Sequence, residues 1–442
     1  MCHSLARFLL LSGFLVGSLG ALAQTTASSG TNTSNPLSER ENNPYSKYGI
    51  GELWDGNNAV LKGMGSITSA YENPYQINSD NPASYAFLQR VTFEAGATGS
   101  LRSVNGTVDG VGSSYTTGTF SLDYLTLGIP VSKHSGICLG FKPYSKVYYN
   151  LADTANSSIG SVVNSYSGSG SLSYVYAGAA FKFGDFSFGA NLGYLFGTIG
   201  NTTATVPIDT VGANTAEYTS SNRIGGLQWK GGVMYEHKID SGYTIRIGGT
   251  ITMKQNIEER YSAFQISTYN FGDTVINDTM ANAGEQRGKL TLPMSYSIGA
   301  MLCKNDHWDI GVDYAATQWS GFNSAQDAFM NYGIANKAYK VSLGGDYTPD
   351  VNNYRSYFSR CTYRFGLYYG TSYLDLSNTV LPDFGATIGA SLPFRRSTSQ
   401  LHAALVVGSL GTTASGLLQE TYVRFTLGFS FNDKWFIPRK YD

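Results

Sequence analysis

From Arg90 onward the chain alternates apolar with polar residues, and this period of two restricts its fold more than any other feature. Between Thr421 and Phe431, Val423, Phe425, Leu427, Phe429 and Phe431 fall on one face, while Tyr422, Arg424, Thr426, Gly428 and Ser430 fall on the other. Successive strand side chains point to opposite faces, so the segment makes a strand with one greasy and one polar or small face. The split recurs in Tyr339–Tyr347, where Val341 and Leu343 oppose Lys340, Ser342 and Asp346. In Tyr363–Tyr369, Phe365 and Leu367 oppose Arg364 and Gly366. In Ile245–Met253, Ile247 and Ile251 oppose Arg246, Gly248 and Thr250. Fourteen such segments begin near Arg90, Tyr115, Gly136, Ser169, Asp185, Asn222, Gly242, Arg287, His307, Lys337, Arg360, Leu381, Gln400 and Glu420. Each runs roughly 10–16 residues, enough to cross a bilayer when tilted, and an even count suits a closed single-chain barrel.

Alternation alone also fits a soluble sandwich, so composition has to separate the two. Charged residues are 14% of the chain, against roughly 25% in soluble domains. Gly (52) and Tyr (32) fill the polar side instead. No apolar run of about 20 residues follows the N-terminus, so spanning helices are not expected. The connections add an independent sign, because they alternate in length. Short ones include Ser132–Ser135, Phe183–Asp185, Ile239–Gly242, Lys304–Asp306 and Arg395–Ser399. Long loops are expected at Val104–Ser114, Ala152–Gly168, Asn201–Ser221, Glu258–Glu285 and Ser320–Asn336. Thr348–Ser359 and Ser377–Thr379 break the rule. Outer-membrane barrels carry short periplasmic turns and long outer loops. The expected fold is therefore all-β: a 14-stranded antiparallel transmembrane β-barrel over residues 90–431, with both termini periplasmic.

The remaining segments read differently. Residues 1–23 have Arg7 ahead of an apolar run and Ala21-Leu22-Ala23 as a cleavage pattern, which predicts a secretory signal peptide. Residues 24–41, rich in Ser, Thr and Asn, predict a flexible leader. Residues 42–89 carry scattered Gly and no dominant period, which predicts a compact irregular segment. Residues 432–442 form a predicted periplasmic tail. The net charge of −1 argues against nucleic acid as a partner. Cys138, Cys303 and Cys361 have no metal-ligand spacing, and neither cofactor nor metal is expected.

Several motifs carry a family resemblance. Asn43-Pro44-Tyr45-Ser46-Lys47-Tyr48-Gly49-Ile50-Gly51, Lys62-Gly63-Met64-Gly65, Asn78 and Asn81-Pro82-Ala83-Ser84-Tyr85 resemble the opening of the Bacteroidetes branch of the long-chain fatty acid transporter (FadL) family. Gly344–Pro349, Tyr363–Tyr369, Leu381–Gly385, Tyr422–Phe425 and Lys434-Trp435-Phe436 resemble its later strands and C-terminus. The resemblance implies a hatch folded into the lumen over residues 42–89, ending at Asn81, Pro82 and Ala83. It also implies passive uptake of long-chain fatty acids or other hydrophobic small molecules, with lateral release into outer-membrane lipid through a kinked third strand. Pro143 lies inside that strand and is the lateral-opening candidate, because proline cannot donate to a ladder; Pro293 in the eighth strand is a rival.

By face parity Arg246, Lys340, Asp346, Arg364, Asp383 and Arg424 point into the lumen. They are candidates to bind a carboxylate head group, or else to tie hatch to wall in a charge network. An enzyme is not expected, since no nucleophile motif surrounds His134, His237, His307 or His402. The alternative function is a non-transporting scaffold in an outer-membrane protein secretion or assembly complex. Its marks would be an occluded lumen and partner surfaces on loops.

Overall fold

The computed structural model describes residues 42–435 apart from 109–110, 158–159, 209–213, 240–241, 272–273, 305–306, 326, 354 and 396. The signal-peptide and leader segments, and the tail beyond 435, lie outside the described residues.

Fourteen antiparallel strands form the wall. They are β1 (Val91–Val108), β2 (Val111–Ser132), β3 (Ser135–Ser157), β4 (Gly160–Phe183), β5 (Phe186–Pro207), β6 (Thr215–Ile239) and β7 (Tyr243–Thr252, resuming as Gln255–Phe271). Then come β8 (Thr274–Leu292, resuming as Ser295–Lys304), β9 (Trp308–Thr317), β10 (Ala338–Tyr347), β11 (Thr362–Leu376), β12 (Thr379–Pro393), β13 (Gln400–Gly411) and β14 (Gln419–Asp433). Neighbours in sequence pair in turn, and β14 closes on β1 from Gln419↔Asn105 to Asp433↔Val91. Closure leaves no free first or last edge, as a spanning sheet requires. The break in β8 falls at Pro293, which has no backbone N–H to give the ladder.

The faces follow the sequence pattern. On β14 Val423, Phe425, Leu427, Phe429 and Phe431 are exposed on the outside, while Tyr422, Thr426 and Ser430 are buried. One end of the barrel carries mostly tight turns, such as Lys133–His134 and Gly184–Asp185. The other end differs from expectation. Most of the predicted long loops are strand: β3 and β4 stay paired out to Ser157↔Gly160, and β7 and β8 to Phe271↔Thr274. In these segments apolar residues such as Val162, Val163 and Phe264 are scattered among Ser, Thr and Asn, so the period of two disappears from the sequence while the backbone ladder continues. Between β9 and β10 the connection is irregular. There Trp319, Phe322 and Met330 bury against Tyr45, Ile50, Tyr373, Leu374 and Leu376. The Ser377–Asn378 turn, with positive φ at both residues, joins β11 to β12 at this same end.

Residues 42–89 pack inside the wall. They contain a 3-10 turn at Pro44–Lys47, a short strand Glu52–Leu53, α1 (Ala59–Lys62) and a second 3-10 turn at Pro82–Phe87. Each turn or helix has an Asn in front of it. Asn43, Asn58 and Asn81 accept from Tyr45 N, Leu61 N and Ala83 N, satisfying donors that the helix start leaves open.

Candidate functional site

The first part of the site is where the Asn81-Pro82-Ala83 corner meets the wall. Asn81 Nδ2 donates to the carbonyls of Ser69 (2.5 Å) and Val233 (3.4 Å). Pro82 and Asn81 lie against Gly189 of β5 and Gly232 of β6, where an added Cβ would come within 2.4 Å of Pro82 and 2.2 Å of Asn81 Oδ1. The same device recurs around the lumen. A Cβ at Gly248 would stand 1.8 Å from the Ser69 carbonyl oxygen, and one at Gly366 would stand 2.2 Å from Gly65 N. These four wall glycines therefore mark where the luminal segment lies against the wall. The sequence signal for this was present, as Gly on the inward parity, but it reads equally as a small polar face.

The second part is ionic. Asp80, one residue before the corner, lies 3.0 Å from Lys142 Nζ on β3 and 2.9 Å from Lys230 Nζ on β6. Burial alone would raise the Asp80 pKa, but the two lysines outweigh it and hold the carboxyl well below its usual range. Glu52 receives Arg102 and Arg424, each at 2.6 Å. Here too burial works upward and the guanidiniums win, leaving Glu52 at about 2. Lys62 of α1 pairs with Asp123 on β2 and with Asp55. Asp313 of β9 accepts from Thr68 N (2.7 Å) and Ser69 N (2.8 Å).

The predicted lumen charges fall into three groups. Arg246 holds Glu72 of the luminal segment, with Glu236 at 3.1 Å and Asp309 at 3.8 Å. Arg364 faces Asp346 at 3.7 Å and donates to Ser391, whose hydroxyl meets His402 Nδ1 at 2.6 Å. Ser430 Oγ lies 3.0 Å from His402 Nε2, so this histidine is held on both ring nitrogens. Lys340, Asp383 and Arg424 converge on one tyrosine pair. Lys340 Nζ sits 4.4 Å over the Tyr368 ring, Arg424 sits 4.3 Å over the Tyr422 ring, and Tyr422 Oη donates to Asp383 at 2.7 Å. Of the wall partners, sequence reading named Arg246, Arg364, Asp346, Lys340, Asp383 and Arg424 but not Arg102, Asp123, Lys142, Lys230 or Asp313, and it named none of the luminal charges Glu52, Lys62, Glu72 and Asp80 as such.

The third part is the wall at Pro143. The β2–β3 ladder runs from Ser132↔Ser135 to Leu125↔Phe141, while β2 itself extends back to Val111 and β3 on to Ser157. Past Phe141, β3 keeps its β4 partner through a bulge between Pro143 and Ser145. Its other edge is met by the luminal segment. Glu52 and Leu53 pair with Lys146 and Ser145. Trp54 N donates to Tyr144 O (2.9 Å), Asn43 N to Tyr148 O (2.8 Å), and Asn150 N to Asn42 Oδ1 (3.0 Å). On the β2 side, Asn42 N donates to Thr117 Oγ1 at 3.0 Å. Residues 42–54 thus stand where β2 has parted from β3. Just inside lies a cavity of about 160 Å³ lined by Trp54, Asp80, Lys142, Pro143, Tyr144 and Tyr174, among others.

The protein family described as BamG matches residues 26–442. The chain belongs to the BamG family. No curated protein matches its sequence. Among solved structures, this BamG-family chain is similar to the Pseudomonas putida toluene transporter TodX, at 16% identity and TM-score 0.55, over 86% of this chain and 99% of that one. It is similar to the Ralstonia pickettii toluene transporter TbuX at 13% identity and TM-score 0.52, over 85% and 98%. A Pseudomonas aeruginosa FadL homologue gives 12% identity and TM-score 0.54, over 85% and 98%. At these identities the likeness is one of fold: the BamG-family chain has the barrel architecture of those channels.

Proposed function

We propose that the chain is an outer-membrane channel for passive uptake of hydrophobic small molecules, fatty acids among them, releasing cargo sideways into the membrane between β2 and β3. The observation that carries this reading is the end of the β2–β3 ladder at Leu125↔Phe141, with the Pro143 bulge and an internal cavity beside it. In this reading residues 42–89 are the hatch, both termini are periplasmic, and residues 42–54 must leave the gap for cargo to pass. The motif resemblance supports placing the chain in the Bacteroidetes branch of the fatty acid transporter family. Lys340 and the Tyr368–Tyr422 pair would meet an acidic head group; Arg246, Arg364 and Arg424 are already engaged by carboxylates.

A second reading, the assembly or secretion scaffold, rests on the way Glu52, Lys62, Glu72 and Asp80 anchor the luminal segment to six strands. The family's name leans the same way.

One experiment separates the two: mass spectrometry of lipids co-purifying with the detergent-extracted protein, beside Pro143→Ala and beside a search for stoichiometric protein partners. The channel reading expects a bound apolar ligand in the wild type and slowed uptake in the variant. An empty barrel carrying protein partners, with uptake indifferent to Pro143→Ala, would overturn it in favour of the scaffold.

A further inference from the structure

Outside the barrel, Arg223 of β6, Arg260 of β7 and Arg287 of β8 stand in one cross-strand row. Arg223 is directly opposite Arg260, and Arg260 is directly opposite Arg287. All three lie on the outward parity, since Asn222, Ile224, Glu259 and Tyr261 beside them are buried inward. Their side chains reach the surface, Arg287 most of all at 71% exposure. Like charges facing each other across a ladder destabilise the pairing. Glu258 and Glu285 offset part of this, with Arg260 Nε 2.8 Å from Glu258 and Arg287 Nε 3.8 Å from Glu285. Lys289, opposite Glu258, adds a further cation, so cations outnumber carboxylates among these residues.

The position of the row matters as much as its charge. On β5 the outward residues run Phe186, Phe188, Leu192, Tyr194, Phe196 and then Thr198, which is opposite Arg223. Counting from Phe186, the row sits about 12 residues up a tilted strand, which is the height of the apolar band of such barrels. Tyr194 and Phe196 are thus the upper aromatic girdle, and the arginines stand immediately above it, where lipid head groups lie. A groove of about 380 Å³ joins the two layers, lined by Tyr194, Phe196, Arg223, Glu258 and Arg260, among others. Aromatic rings below suit an acyl chain, and a guanidinium fork suits a phosphate bidentately.

We infer that this face is a binding site for a phosphate-bearing lipid of the surrounding leaflet, its phosphate held by Arg223, Arg260 and Arg287 and its acyl chains lying on Tyr194 and Phe196. The occupant is a membrane lipid because the apolar and cationic layers are contiguous and face the bilayer. Such a lipid supplies the anion that relieves the like-charge row. The site stands apart from the lumen and holds under either functional reading above.

The test uses the full barrel in phosphatidylcholine nanodiscs doped with diphosphoryl lipid A, read by native mass spectrometry of retained lipid. Dephosphorylated lipid A and inorganic phosphate serve as comparators. The wild type is expected to retain lipid A at least tenfold better than the triple variant R223S/R260S/R287S. It is also expected to retain it better than the dephosphorylated form. Heat-modifiable migration on a gel checks that the variant barrel is closed. Glu258→Gln, which removes a competing carboxylate, is expected to raise retention. Equal retention by wild type and triple variant, retention indifferent to the phosphates, or displacement by inorganic phosphate at equal concentration would each overturn the proposal.

Discussion

Arg424 Nη2 lies 2.6 Å from Glu52 Oε1, joining the last wall strand to a residue 372 positions earlier in the chain. Arg102 of β1 meets the same carboxylate. One luminal residue therefore bridges the two strands that close the barrel, and it does so from the short strand that fills the gap beside β3. The docking of residues 42–54 rests on this contact and on their backbone pairing with β3.

Glu52→Gln leaves two guanidiniums facing a neutral amide. Docking is expected to weaken by about 2 kcal/mol, the scale of a hydrogen bond to a charged group. Planar-bilayer recording is expected to show brief openings that the wild type lacks. A variant as quiet as the wild type would sink the idea that Glu52 holds the segment.

The same contact sets a pH dependence. Glu52 is lowered from 4.5 to about 2 in the folded state, so its contribution is fully present above 4.5 and is lost as pH falls through 2. Proteolytic protection of residues 42–54 is expected to stay constant from pH 7 to pH 5 and to decline below about 4. Protection in Glu52→Gln is expected to lack that portion of the decline.

Gly248→Val would push a side chain into the Ser69 carbonyl oxygen, while a β-branched residue suits the strand itself. Overpacking of this kind costs about 1–3 kcal/mol. The barrel is expected to keep its heat-modifiable migration while conductance rises. Gly112→Val, with nothing within 4 Å of the added Cβ, is the control and is expected to behave as wild type.

At the end bearing the long hairpins, Trp319 stacks on Tyr373 with ring centroids 4.4 Å apart. Tyr373 Oη in turn donates to the carbonyls of Tyr48 and Gly51. Trp319→Ala is expected to cost about 3–5 kcal/mol of local packing. It is expected to open that end to a thiol reagent directed at an introduced Ile50→Cys, which stays unlabelled when Trp319 is present.

Much of the wall is legible in the amino-acid sequence. The expected strand starts at Arg90, Gly136, Asp185, Gly242, His307 and Gln400 fall within one residue of the observed ones, because inward and outward alternation is written locally in each strand. The hairpins beyond the apolar band are not legible, since apolar residues scattered among Ser, Thr and Asn leave no period to read. At Pro143 the sequence marks a missing donor, but not that β2 departs there or that residues 42–54 take its place.

What the sequence by itself determined is the set of strands, their two faces and the irregular segment ahead of them, all short-range consequences of side-chain direction. What only the tertiary structure decided is who meets whom. Glu52 finds Arg102 and Arg424, Asp80 finds Lys142 and Lys230, Ser69 finds Gly248, and three arginines from three strands fall into one row. Those pairings depend on strand register and on how an aperiodic segment lies against a closed wall. Register is fixed by the sum of contacts around the whole barrel, not by any stretch of residues that could be read alone.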